Sequence, residues 1–514
     1  MVHYLLSAYI ALAASDGLPV NTPKSVGMSA TRLASIDRIV QRGIKAGGYP
    51  GASVVIGRRG YAVFQKGFGK IGWTTSSARV SSDRTIYDLA SLTKVVGTTT
   101  AAMILFDQGK LDLDAPVHTY LPAFSGGAKD SVTVRQLLTH RSGLPAGRDL
   151  WRIARTPEEA RAAVLATDLT CRPGQCFIYS DLGADVLGFV IEAVAGESLD
   201  HFLHDRVFEP LGMNDTFFKP ADSVTYRVAP TEIAPPRGYP IRGEVHDENA
   251  YALGGVAGHA GLFSTAADLS IFAQMMLNRG EYNGVRIVSD SVVALFTKRT
   301  AGTRALGWDT GDGTGGAGKF LDSRAYGHTG YTGTSIWLDP DREMFVLLLT
   351  NRVHAARARR PAKVISDVRA DLADAAAAAV IDNPENVISM PKAFRADKAV
   401  GWNRPVRATR SRSSRSRTAA RKPVASKSTA KKTTAKKTTA EKTTAKASTT
   451  KKPAAKPSTA KASTKKASTA KSSTAKSSTA KKSTASSSKS STAKKRTTTA
   501  AKPPTRKVVA KTGN

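Results

Sequence analysis

The 514-residue chain is poor in cysteine, aromatic residues and long apolar runs. Its only cysteines are Cys171 and Cys176. Two cysteines exclude a disulfide-rich scaffold, and with no second pair they exclude a zinc site built on paired thiolates. No stretch reaches the roughly 18 consecutive apolar residues that a membrane-spanning helix needs, so no span is expected. Aromatic residues make up 7% of the chain, and none lies between Val406 and Arg506. Base stacking is therefore excluded as a mode of nucleic-acid binding there, and any such binding would be phosphate-driven and salt-sensitive. Acidic residues are missing from one end only. Residues 401–514 hold 33 Lys and Arg against one acid, Glu441, which leaves 43 basic and 40 acidic residues in 1–400. The formal charge of +35 thus belongs to a tail, and the body is nearly neutral.

That tail, "AKKTTAKKTTAEKTTAKASTTKKPAAKPSTAKASTKK", is loosely periodic Ala, Ser, Thr and Lys. It carries too little apolar surface to offset chain entropy, and its charges repel, so 401–514 is expected to be disordered. Its chemistry suits anionic polymers, of the cell envelope or nucleic acid. At the other end "MVHYLLSAYIALAASDG" has an apolar run from Tyr4 to Ala14, with the small-residue pattern "ALA" before Ala14. This pattern fits a secretory signal over 1–15, although Lys or Arg before the run is missing. The protein is then expected to be exported, periplasmic or attached to the cell envelope. In "CRPGQC" the turn pair Pro173-Gly174 lets the two cysteines meet; a small disulfide loop and two free thiols both fit.

The body, about 20–395, reads as α+β. Leu33, Ile36, Ile39, Val40 and Ile44 recur at helical spacing over 29–45, with Ser29 as a cap. "GASVVIG" and "YAVFQKGFG", split by "RRG", predict a hairpin, and "GTSIWLDP" with "EMFVLLLTN" predict a second near the other end. "AKVISDVRADLADAAAAAV" follows as a helix. Between the hairpins, about 91–280, the pattern is mostly helical. Together these predict one antiparallel sheet built from both ends of the body, flanked by helices, with a helical lobe inserted between.

Ser91 and Lys94 stand three residues apart in "YDLASLTKVVGTTT". The spacing alone is uninformative, because the tail repeats it, for instance at Ser428/Lys431 and Ser458/Lys461. Context separates them. Ser91 opens an apolar helical run that ends at Gly109, so the pair would share one face of a largely buried helix. Burial and the helix N-terminus disfavour an ammonium there, and a neutral amine beside a hydroxyl is a base beside a nucleophile. Free backbone N–H groups at the same turn suit an oxyanion. The same residues also fit Ser91 as a plain cap with Lys94 reaching solvent.

Two further segments add to this. "CFIYSDLGADVLG" places Tyr179 and Asp181 before a helix; Tyr179 can relay a proton, and Asp181 fits an N-cap. "AYGHTGYTGTSIWLDP" is a Gly-rich run leading to a strand, with His328 and Thr329 placed to orient a substrate. His140 reads as structural and His259 as a weaker candidate for the cleft. His246, Asp247 and Glu248 are adjacent but point different ways, so no metal and no cofactor is expected.

In this order, "SLTK", "YSD" and "HTG" resemble the Ser-x-x-Lys, Tyr-x-Asn and Lys-Thr-Gly elements of the serine β-lactamase and penicillin-binding protein superfamily. "LLTHRSGLP", "EPLGMNDT" and "GGVAGHAGLFSTAADL" resemble segments of its class C branch, which includes esterases and D,D-peptidases. The likeness runs from about residue 25 to 380. It implies a β-lactamase/transpeptidase-like fold and an acyl-enzyme on Ser91. Lys94 would take the Ser91 proton, and Tyr179 would share that role and protonate the leaving group. The N–H groups of Ser91 and Tyr331 would form the oxyanion hole. Asp181, His328, Thr329 and Gly330 would bind substrate. Two departures bear on which substrate. An ionised Asp181 cannot donate to an acylamide carbonyl, and it would favour a charged Lys94. His328 grips a carboxylate only when protonated, so esters without one become easier to accept. Carboxylic esters or amides are the expected substrates. The alternatives are a D-Ala-D-Ala carboxypeptidase of cell-wall metabolism, and a penicillin-recognition module that acylates without turnover and binds polyanions through its tail.

Overall fold

Strand β1 (Gly51–Arg58) and strand β2 (Tyr61–Gly69) form the expected first hairpin. Their two-residue turn, Arg59-Gly60, has both residues in the left-handed region, at φ 52° and 85°. That backbone matches the twist of paired strands. The computed structural model describes residues 17–311, 315–354 and 362–402, all within the first of the chain's two units, residues 1–414. The expected leader, and the tail beyond its first two residues, lie outside the described residues.

The sheet closes as the sequence predicts, with the two ends of the body meeting. β1 pairs antiparallel with the late strand β6 (Met344–Thr350), from Ala52↔Thr350 to Arg58↔Met344. Outward from β6 lie β5 (Ser335–Asp339), β4 (Tyr326–Thr329) and the short edge strand β3 (Asp309–Thr310), which the sequence pattern did not suggest. The order is β2-β1-β6-β5-β4-β3. β1 and β6 are buried along their whole length. Their alternate side chains serve two cores. Val54, Ile56, Val346 and Leu348 face helix α1 (Ser35–Lys45) and helix α5 (Lys363–Ala379). Val55, Leu347 and Leu349 face the larger core, which holds Phe272 and Met275 of helix α4 (Ala266–Leu277). The inserted middle supplies helix α2 (Thr100–Asp107) and helix α3 (Asp181–Ala195). Among the described residues no helix is long and apolar enough to cross a membrane.

Two boundaries differ from expectation. The run 29–45 breaks at Ala34 into Ala30–Leu33, which Ser29 caps through the Arg32 N–H, and α1. The fold also extends past both ends of the 20–395 range. Leu18 is buried and its N–H donates to Ser270. At the other end Arg395 pairs with Asp371 and Asp374 of α5. Trp402 is 1% exposed and its indole N–H donates to Asp367 at 2.7 Å. Trp402→Ala is therefore expected to cost about 3–5 kcal/mol of stability, measured by urea denaturation.

Candidate active site

Ser91 lies where the chain leaves the short strand Tyr87–Asp88. The helix expected over this region winds in three ways: a 3₁₀ turn at Ala90–Leu92, wide π-type turns at Lys94–Thr99, then α2. π-type turns inside helices recur at functional sites. Ala90 sits in the left-handed region at φ 47°, a conformation that strains a non-glycine residue and persists only when its surroundings enforce it. Here the enforcer is Asp88, whose buried carboxylate accepts the Ala90 N–H at 2.7 Å and the His246 N–H at 2.7 Å. A sharp turn is thus locked immediately before the serine.

Lys94 is 4% exposed and its Nζ reaches three oxygens. It lies 3.1 Å from Ser91 Oγ, 3.1 Å from the His259 carbonyl and 2.7 Å from Asp181 Oδ1. The Tyr179 ring is 5.0 Å from the same nitrogen. Burial works against the charge, but the Asp181 carboxylate and then Tyr179 outweigh it and hold Lys94 above the ordinary lysine range. The expectation of a neutral resting amine is corrected: Asp181 supplies the charge that burial removes. The N-cap reading of Asp181 is corrected too. Ser180 caps α3, accepting the Gly183 N–H at 3.0 Å, which frees Asp181 in the first turn to face Lys94.

Tyr179 stands between two imidazoles, His140 at 4.5 Å between ring centroids and His328 at 5.9 Å. His140 braces the tyrosine segment twice. Its carbonyl accepts the Ile178 N–H and its Nδ1 accepts the Ser180 N–H. Burial and the nearby Arg304 and Lys94 charges push His140 well below its usual range, which suits a ring nitrogen that must accept. Cys171 and Cys176 are joined in a disulfide just before Phe177; inside the loop the Gly174 N–H donates to the Arg141 carbonyl, and just before it the Thr170 N–H donates to the Gly143 carbonyl.

His328 ends up in a role the sequence did not suggest. Its Nδ1 is 3.0 Å from the Thr329 carbonyl, which can only accept, so Nδ1 carries the proton. Its Nε2 faces Arg304 at 3.5 Å. Burial, Arg304 and Lys94 together push the ring well below its usual range. A neutral ring lacks the grip on a carboxylate that a protonated one would have, and the cation beside it is Arg304.

The β4–β5 turn, which carries Thr329, Gly330 and Tyr331, is fastened to the serine's turn. Thr332 and Thr334 hydroxyls donate to the carbonyls of Asp88 and Leu89. A Cβ on Gly330 would collide with that Leu89 carbonyl and the Thr334 hydroxyl. Arg369 of α5 braces the turn by donating to the Gly330 and Thr334 carbonyls at 2.6 and 2.8 Å. The half-exposed Tyr331 ring stacks on His246, 6.0 Å away, with Arg352 on it at 4.7 Å.

Behind Lys94 lies a buried charged triad. His259 Nδ1 meets Asp185 at 2.6 Å and its Nε2 meets Asp247 at 2.9 Å. His259 is 2% exposed; burial lowers its basicity, but the two carboxylates outweigh that and hold it well above the usual histidine range. The triad fixes the loop whose carbonyl receives Lys94. Thr98 ties the same loop through the Gly258 carbonyl at 2.6 Å. The run His246-Asp247-Glu248 does not converge on one point: His246 pairs with Glu232 while Asp247 pairs with His259. Among the described residues one cluster, His204, Asp205 and Glu209, brings three metal-ligating atoms within 4.8 Å, and it is exposed.

Ser91, Lys94, Tyr179 and Asp181 thus form one constellation, and the His328–Tyr331 turn borders it. Residues 36–369 match the family model described as Beta-lactamase. The chain belongs to the Beta-lactamase family. Members of this family are serine hydrolases, among them esterases, β-lactamases and carboxypeptidases. It is 32% identical over 375 residues to a protein of Salmonella agona, spanning 66% of this chain and 87% of that one. It is 30% identical over 393 residues to a protein of Escherichia coli K12, spanning 68% and 89%. Both relatives are named "Putative D-alanyl-D-alanine carboxypeptidase". An octameric penicillin-binding protein homologue from Pyrococcus abyssi superposes with a TM-score of 0.51 at 25% identity, over 62% of this chain and 73% of that one. The α+β architecture is the β-lactamase/transpeptidase-like fold.

The triad makes stability depend on pH. His259 has a folded pKa above its unfolded value of about 6.5. Its contribution is complete below that pH and is lost as pH rises through the folded value. His259→Gln leaves the buried Asp185 and the partly exposed Asp247 carboxylates without their cation, for an expected loss of about 3 kcal/mol near pH 6. By urea denaturation, the gap to wild type should narrow at pH 8.5.

Proposed function

We propose that Ser91 is the nucleophile of an acyl-enzyme hydrolase acting on carboxylic esters and amides. The observation that carries this reading is the 3.1 Å approach of Lys94 Nζ to Ser91 Oγ in a buried site that also holds Tyr179 and Asp181. An ammonium has no lone pair, so Lys94 can receive the Ser91 proton only as it releases one of its own. Asp181, 2.7 Å away, is the acceptor within reach. The Ser91 oxygen then bonds to the substrate carbonyl carbon. The N–H groups of Ser91 and Tyr331 are the donors assigned to the resulting oxyanion. As the bond to the leaving group breaks, Tyr179 protonates that group and recovers a proton from the Lys94–Asp181 pair. Water hydrolyses the acyl-enzyme by the reverse proton route. Thr329 and Gly330 line the substrate's path along β4. The names of the two bacterial relatives point to D-alanyl peptides within this substrate range.

The wild-type protein should be labelled by a fluorophosphonate or a fluorescent penicillin and should hydrolyse p-nitrophenyl esters. Ser91→Ala should lose labelling and lower turnover by at least about 10³-fold. Unchanged turnover in that variant excludes the mechanism. A stable penicillin adduct with no product from any ester identifies a recognition module instead.

The protein is further proposed to be exported and held at the envelope by its tail. The apolar run Tyr4–Ala14 and the Cys171–Cys176 disulfide both fit an oxidising compartment outside the cytoplasm. The excess of 32 positive charges in 401–514 suits anionic envelope polymers. A chain ended after Trp402 should keep its ester turnover yet lose retention on an anionic resin. In cell fractionation the full chain should sediment with the envelope and the shortened one should not; a cytosolic full chain contradicts this.

A further inference from the structure

Resting on the acyl-enzyme reading, we propose that Arg369 is a positioning residue for the oxyanion: it aims and strengthens the Tyr331 N–H. It acts through one peptide unit rather than on the substrate. The Gly330 carbonyl and the Tyr331 N–H belong to that unit. Its bond is trans, since the one cis bond among the described residues is Pro235-Pro236. In a planar trans peptide the N–H points opposite to the C=O. A group that fixes the direction of the Gly330 carbonyl therefore fixes the direction of the Tyr331 N–H.

Two donors hold that carbonyl. Arg369 Nη2 reaches it at 2.6 Å and the Gly333 N–H at 3.1 Å. The same Nη2 donates to the Thr334 carbonyl at 2.8 Å, which also accepts the Gly330 N–H at 2.8 Å. Gly330 is thus tied on both sides. The Thr332 and Thr334 hydroxyls fasten the turn to the Asp88 and Leu89 carbonyls, so the N–H is aimed in the frame of Ser91. A hydrogen bond from a cation is stronger than a neutral one, and it polarises the peptide so that its N–H donates better. Arg352 adds a second cation: its Nε donates to the Tyr331 carbonyl at 2.8 Å.

A plain brace has no need of a cation here. Among the described residues Arg369 pairs with no carboxylate, and its guanidinium hydrogen bonds go to carbonyls. Its Nε is buried with no hydrogen-bond partner among the described residues. Burial works against its charge, and the neighbouring Arg352 adds to that. The acids of the same helix are engaged elsewhere: Asp371 and Asp374 by Arg395, Asp367 by Lys363. Holding a cation out of water without a counter-charge costs several kcal/mol. The reaction supplies the missing negative charge, because an oxyanion develops at the other end of this peptide unit. A fixed positive field behind the donor then favours the transition state over the ground state.

The test follows p-nitrophenyl cinnamate through acylation and deacylation by stopped flow. In Arg369→Gln both rate constants should fall by about 10- to 100-fold, with the dissociation constant of the first complex unchanged. The infrared carbonyl stretch of the acyl-enzyme should move to higher wavenumber, because its oxygen accepts weaker hydrogen bonds. Arg369→Lys, which keeps the charge, should fall between wild type and Arg369→Gln, and it carries the same comparison if Arg369→Gln does not fold. Trp402→Ala loosens the same helix without touching the turn; its rates and its carbonyl stretch should match wild type. Unchanged rates or an unchanged stretch in a folded Arg369 variant, or an equal loss in Trp402→Ala, overturns the proposal, while an adduct on Ser91 leaves the acyl-enzyme reading standing. No adduct on Ser91 in wild type rejects that reading and the proposal with it.

Discussion

The site is organised around one buried ammonium. Taking a lysine side chain out of water costs several kcal/mol unless its charge is answered. Lys94 is answered by Asp181 at 2.7 Å, the His259 carbonyl at 3.1 Å and the Tyr179 ring, and it also meets the Ser91 hydroxyl. Each of these partners must be held still, and much of the surrounding structure does that holding. The His259 carbonyl is fixed because the imidazolium behind it is clamped between Asp185 and Asp247. Asp181 is available because Ser180 takes over the capping of α3. The serine is presented by a strained Ala90 that Asp88 enforces.

The same constraint explains why the cleft is divided into charge zones. Lys94 and Asp181 neutralise each other, so neither is a free handle for substrate. His140 and His328, on either side of Tyr179, are kept neutral by burial and by the two nearby cations. Arg304 is answered by one carboxylate, Asp309 at 3.8 Å. The Asp and His departures in the family's motifs are coupled in this way. Asp181 makes the lysine an ion pair, and His328 passes the positive charge to an arginine from a different segment.

Much of this was legible in the sequence. Short β-rich apolar runs in "GASVVIG" and "MFVLLLT" predicted the strands, and their placement at opposite ends of the body predicted that the sheet closes between them. The gathering of Ser91, Lys94, Tyr179 and Asp181 in one site was legible because local motifs carry these residues. Three features were not. The protonation of Lys94 was left open, because burial argued for a neutral amine while an ionised Asp181, 87 positions away in the chain, argued for a charged one. His259 acts through its main-chain carbonyl, and no side-chain pattern reveals that. Arg304 lies between motifs, in "AGTRALGW", where one arginine among many carries no signal until the fold sets it against Tyr179. The capping of α3 was misread by one residue, and that one residue separates a structural aspartate from one in the site.

The central claim is that the acyl group passes through Ser91. Rapid acid quench of the protein during turnover of an ester, followed by peptide mass spectrometry, tests it most directly. The account predicts that the peptide containing Ser91 gains the mass of the acyl group, that the adduct appears before product, and that it decays as substrate is exhausted. Product formation with no adduct, or an adduct on any other residue, would contradict it.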